Sequence, residues 1–178
     1  MHYPLSWRDC PFVWEQDGPG VPAMAQVGSS AMKARRWQLN DRLYGFAHIQ
    51  HDYVPGTPVF DHIHYFTDGV SLLPVRWRWR LWHAKGHDQA AFDFDGAPTT
   101  VAVDSVPGGK YRHMIPETGP IVIPGLEPDS FVLGVIDRIT NGATDNTDKI
   151  FAWCSDIHHQ ITVVGTTNRQ PPFYTESP

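Results

Sequence analysis

His62 and His64 stand two apart in the segment Val59–Phe66 (VFDHIHYF). Successive side chains of an extended strand point to opposite faces, so both imidazoles project from one face and can approach a single metal ion. Zinc and iron sites take three or four ligands, and His51, Asp156, His158 and His159 are the residues that neighbouring strands can add. The competing reading is a semi-polar sheet face whose histidines bond to neighbours or water, which ten histidines in 178 residues make ordinary. On that balance the sequence assigns no metal ligand, no catalytic residue and no cofactor.

A second constellation is the row Arg76, Arg78 and Arg80 in Val75–Trp82 (VRWRWRLW). Like charges on one strand face repel unless carboxylates or water face them, so the row predicts acidic partners on an adjacent strand or subunit rather than an anion site. Trp82 closes the row and offers an indole that can stack on a sugar ring, provided that further exposed aromatics lie beside it. Asp93 and Asp95 (FDFD) share one face, the arrangement glycoside hydrolysis would need; a solvated edge is the simpler account. There is no Gly-rich phosphate loop, no GxSxG and no CxxC, so phosphoryl transfer, acyl transfer and thiol redox chemistry lack their usual parts.

Strands must position these residues. Val75, Trp77, Trp79 and Leu81 alternate with Arg76, Arg78, Arg80 and Trp82, the period of a half-buried strand. A helix would spread the arginines around its circumference and bury one unpaired, which is costly. With Val59–Phe66 and the intervening Thr67-Asp68-Gly69, this segment reads as a strand pair joined by a loop, around which the rest is organised. Further strands are expected at Phe46–Tyr53, closed by a Pro55-Gly56 turn as a second hairpin, and at Thr99–Asp104, Lys110–Ile115, Ser130–Ile139 and Lys149–Val164. Ser130–Ile139 is apolar enough to be central. Lys149–Val164 is long enough to bend or carry a bulge, with Phe151, Trp153, Ser155, Ile157, His159 and Ile161 on one side.

The chain thus reads as all-β: an antiparallel two-sheet sandwich, jelly-roll-like, with an extended N-terminal arm. Residues 1–45 form the arm, whose Pro and Gly exclude a central strand and whose Ala31–Trp37 makes at most a short helical turn. Residues 46–165 form the sandwich and 166–178 a surface tail. Isolated Trp7, Phe12 and Trp14 suit the arm either to wrapping its own domain or to docking on a neighbouring subunit. Hydrophobic residues at 41%, charged residues at 19%, 15 Gly and 16 Pro fit a compact, turn-rich domain rather than a disordered chain. A net charge of −5 argues against a general affinity for nucleic acid. Cys10 and Cys154 lie far apart and read as reduced thiols. No export signal or membrane span is evident, so the protein is expected to stay where it is made.

Taken in order, HDYVPGTPVFDHIHY, VRWRWRLWHAKGHDQAAF, KYRHM, GLEPDSFVLGVIDR, NGATDNTDKIF, DIHHQ and PPFYT resemble segments of small structural proteins of tailed bacteriophages, over roughly Phe46 to Thr175. In that group the His-x-His strand is followed by Trp and the later motif reads Asp-Leu-His-Tyr-Gln; here Tyr65 and Asp156-Ile-His-His-Gln160 stand instead. The resemblance implies a non-enzymatic virion protein assembled in the host cytoplasm, most simply a capsid decoration (cement) protein. Its partners would be the major capsid protein or other virion proteins, with a homo-oligomer, a trimer favoured, and neither nucleic acid nor membrane. A carbohydrate-binding tail or fibre module is the alternative, and a metal-dependent cupin-like enzyme a further one.

Overall fold

A computed structural model gives the architecture and describes residues 5–15, 18–142 and 144–162, together with 169, 171 and 172. Its ten strands are β1 Leu5–Pro11, β2 Val13–Trp14, β3 Ala23–Gln26, β4 Lys33–Trp37, β5 Arg42–His48, β6 Phe60–Thr67, β7 Val75–Ala84, β8 Thr99–Ser105, β9 Phe131–Ile139 and β10 Ile150–Thr162. There is no helix among the described residues, so none that is long and apolar enough to cross a membrane.

The strands form an antiparallel two-sheet sandwich. In the first sheet β10 is the spine: β6 runs along one edge, β1 and β4 share the other, and β3 lies outside β4. Isolated bridges from Val59, His62 and Tyr65 to Ile121, Glu117 and Met114 lay an extended segment beside β6. The second sheet runs β2-β5-β9-β7-β8. The chain changes sheet at β1–β2, β2–β3, β4–β5, β5–β6, β6–β7 and β9–β10, the winding of a jelly roll.

Alternation explains the core. Trp77 and Trp79 of β7 turn inward and meet Trp37 and Tyr65 from the opposite sheet, with Trp77 edge-on to Trp37 at 5.1 Å and to Tyr65 at 5.6 Å. Each such side chain contributes on the order of 2–3 kcal/mol of burial. Tyr65 Oη donates to Ser105 Oγ at 2.8 Å and Trp79 Nε1 to Ser155 Oγ at 3.3 Å. The Val54–Thr57 turn has Pro55 and Gly56 centrally, with Gly56 at φ 81° and Thr57 N donating to Val54 O, as a type II turn requires.

The expected strand at Lys110–Ile115 does not form, Met114 making only an isolated bridge to Tyr65, and four further expectations change. β6 and β7 are not a pair: each has its own sheet, because their apolar faces must oppose one another across the core. The expected Phe46–Tyr53 hairpin likewise spans the two sheets. The N-terminal segment is extended and takes the first of its two open roles, wrapping its own domain: β1 pairs with β10 over Leu5 to Pro11 and Phe12 is buried in the core, so the sandwich does not begin at residue 46. Ala31–Trp37 makes no helical turn; Lys33–Trp37 is β4, held between β3 and β10 with Ala34 and Trp37 buried. The bulge in β10 does occur, between Ala152 and Cys154. It reverses the alternation, so Phe151 joins a small outer cluster with Ala34 and Phe66, whereas Ile157 faces the core. The tail at 166–178 lies outside the described residues apart from 169, 171 and 172.

Candidate functional site

The outer face of the first sheet carries the histidines. Ile63 and Tyr65 take the core side of β6, so His62 and His64 point outward, and the bulge puts Asp156 and His158 of β10 on that same face. Asp156 Oδ2 lies 3.3 Å from His62 Nε2 and 3.2 Å from His64 Nε2. Beside them, His158 Nε2 meets Asp9 Oδ1 of β1 at 2.6 Å and its Nδ1 meets Glu117 Oε2 at 2.7 Å. His64 Nδ1 lies 2.9 Å from His113 Nε2. Burial pushes Asp156 up, but the hydrogen bonds and charges of His62 and His64 outweigh it and hold the carboxyl below its usual range. Burial and the nearby His62 lower His64.

The outer face of the second sheet is aromatic at one end and ionic at the other. Register sets Phe46, Leu133 and Trp82 in one row across β5, β9 and β7, then Tyr44, Val135 and Arg80, then Arg42, Asp137 and Arg78. Phe94, 63% exposed, comes from the loop before β8, and with Glu15, the first row, Tyr44 and Val135 it lines a groove of about 340 Å³. Trp82 Nε1–H is sheltered from solvent and has no hydrogen-bond partner. Such a groove offers flat apolar surface with a few polar groups at its rim.

The Arg row is resolved as an ion cluster. Arg78 and Arg80 both donate to Asp137 on the central strand, and Arg42 Nε approaches it at 3.6 Å. Arg76 pairs with Asp104 at 3.7 Å.

Of the histidines considered with His62 and His64, only His158 joins them, with Asp156. His159 faces the core against Tyr53, where burial lowers it. His51 belongs to a separate cluster in which His48, His51 and His87 converge on Asp129. Asp93 caps a turn by accepting from Gly96 N. Sequence reasoning missed Asp9, His113 and Glu117, because β1 and the 111–123 segment reach the face through pairing between segments far apart in the chain; the alternation in KYRHM was the only local signal. It also missed Tyr44, Phe46 and Phe94 beside Trp82.

No protein-family model and no curated protein matches the chain. Among solved structures it is similar to the carbohydrate-binding module TmCBM61 in complex with β-1,4-galactotriose (13% identity, TM-score 0.28, covering 88% of each chain). It is also similar to the TNF Eiger of S. frugiperda (9%, TM-score 0.31, 92% of this chain and 97% of that one). A third is the mannan-recognising carbohydrate-binding module TmCBM27 (10%, TM-score 0.31, 89% and 99%). At that distance the similarity assigns neither ligand nor partner to this chain.

Proposed function

We propose that the protein is a non-catalytic binding module of a virus particle, and that it engages sugar rings in the groove on the outer face of its second sheet. The observation that carries the ligand class is the row Phe46–Leu133–Trp82, walled by Phe94 and bordered by Tyr44 and Glu15. A pyranose presents flat C–H faces that aromatic rings cover, while its hydroxyls need donors and acceptors at the edge. With residues 5–14 committed to strands, contact with other molecules falls to the sheet faces and loops. The virion setting rests on the sequence resemblance over Phe46 to Thr175. A glycan array probed with the purified chain tests the ligand, with loss of signal in Trp82→Ala as the expected result.

A second reading, decoration of the capsid shell as a ring-shaped oligomer, is favoured by the apolar loop at Val70, Leu72 and Leu73, all exposed. Quantitative mass spectrometry of particles from the source separates the two. A copy number near that of the major shell protein supports shell decoration, a far lower one supports a tail or fibre position, and absence rejects both.

A further inference from the structure

The first sheet presents a second, chemically different outer face. Two groups of three side chains there bring their ligand atoms within 4.8 Å of one another, and both contain His62: His62 with His64 and Asp156, and His62 with His158 and Asp9. They are not equivalent. His158 already has a carboxylate at each ring nitrogen, Asp9 at Nε2 and Glu117 at Nδ1, so both of its coordinating positions are engaged. In the other group two imidazole Nε2 atoms converge on one carboxylate oxygen, at 3.3 and 3.2 Å. His62 is only 3% exposed, and its Nδ1 is buried with no hydrogen-bond partner. With Nδ1 unpartnered, the ring's hydrogen bonding rests on Nε2 at Asp156, and that Nε2, beside the Nε2 of His64, is the atom His62 offers to an ion at the centre of the cluster.

We propose that His62, His64 and Asp156 bind one divalent transition-metal ion, with zinc as the ion best matched to two imidazoles and a carboxylate. The surroundings complete the chemistry. His64 Nδ1 lies 2.9 Å from His113 Nε2; once an ion takes His64 Nε2 the ring proton sits on Nδ1, where His113 can accept it, the outer-shell arrangement metal-bound histidines use. Asp9, Glu117 and Asp156 give the face three carboxylates to balance a dication. The ion ties β6 to β10, and three protein ligands leave a coordination position for water.

The test uses the full-length chain, stripped with chelator and incubated with zinc chloride. Retained zinc is counted after gel filtration, and binding is followed by calorimetry and thermal melting. The expected result is one zinc per chain and a higher melting temperature with zinc. His64→Ala and Asp156→Asn each lose the bound zinc, His113→Ala binds on the order of tenfold more weakly, and His51→Ala, in the Asp129 cluster, binds as wild type. The wild-type melting shift stands whether or not a variant folds. No zinc retained by folded wild type, equal retention by His64→Ala and Asp156→Asn, or loss in Asp9→Ala with retention in His64→Ala overturns the assignment.

Discussion

Arg80 grips Asp137 with two parallel hydrogen bonds, Nε on Oδ2 and Nη2 on Oδ1, both at 3.1 Å. Asp137 is 1% exposed although it lies on an outer face, because Arg42 and Arg78 close over it as well. Two members of the row that looks like a repelling ladder in sequence, Arg78 and Arg80, share one carboxylate with Arg42, which draws β5, β7 and β9 together. Removing that carboxylate leaves three guanidinium groups crowded without a counter-charge. Asp137→Ala is expected to destabilise the fold by about 3 kcal/mol, and Arg80→Lys, which loses the paired geometry, by about 1 kcal/mol. Urea denaturation of both variants checks this order.

The N-terminal segment is expected to be indispensable to the fold. β1 covers one edge of β10, and Phe12 lies against Gly134 so closely that an added Cβ there would sit 2.6 Å from its ring. Deleting residues 1–15 exposes that edge and uncaps the core. Loss of cooperative melting, or aggregation, is the outcome to look for in circular dichroism; a stable monomeric deletion variant would refute the role assigned to β1.

Asp61 points into the core from β6, fully buried, with neither carboxylate oxygen hydrogen-bonded. Burial drives its pKa well above the usual carboxylate range. The backbone around it is satisfied, since Asp61 N donates to Thr118 Oγ1 and Asp61 O accepts from Thr118 N, so the side chain alone bears the cost. Asp61→Val is expected to raise stability by about 1–3 kcal/mol at neutral pH, read as a higher melting temperature.

Cys10 donates its Sγ–H to His48 O at 3.1 Å, and burial pushes its thiol up to about 11 from 9.0. The thiolate is the reactive form, so in native protein Cys10 is expected to react roughly 100-fold more slowly than in denatured chain at pH 8. The folded thiol keeps its proton while the unfolded one ionises. Its contribution to stability is therefore fully present below pH 9 and declines as pH rises from 9 towards 11. Thiol titration with and without denaturant, and melting of Cys10→Ser across that window, check the two statements.

The legibility of the fold varied with how local its cause was. β7 could be read directly, since three arginines alternating with Val75, Trp77, Trp79 and Leu81 fit no helix. The length of β10 and its bulge were readable too, but the position of the bulge was not. That position decides which of Asp156, Ser155 and Ile157 shares a face with His62, so the site stayed hidden although its His-x-His half was plain. β3 and β4 carry weak sequence signals (AMAQ and KARRW) because they are fixed by pairing with each other and with β10, not by their own propensities. The same holds for the groove, where Phe46, Leu133 and Trp82 become neighbours only through the register of three strands distant in sequence.

The proposed sugar-binding surface lies on the outer face of the second sheet. Its most direct test is the binding of the purified chain to an array of bacterial surface glycans, with wild type, Trp82→Ala and His64→Ala compared side by side. The account predicts that wild type selects one glycan class and that Trp82→Ala loses about 2 kcal/mol of it, roughly 30-fold in affinity. It predicts that His64→Ala, on the opposite face, binds as wild type does. Folded wild-type protein that binds no glycan, or a Trp82→Ala variant that binds equally well, would contradict it.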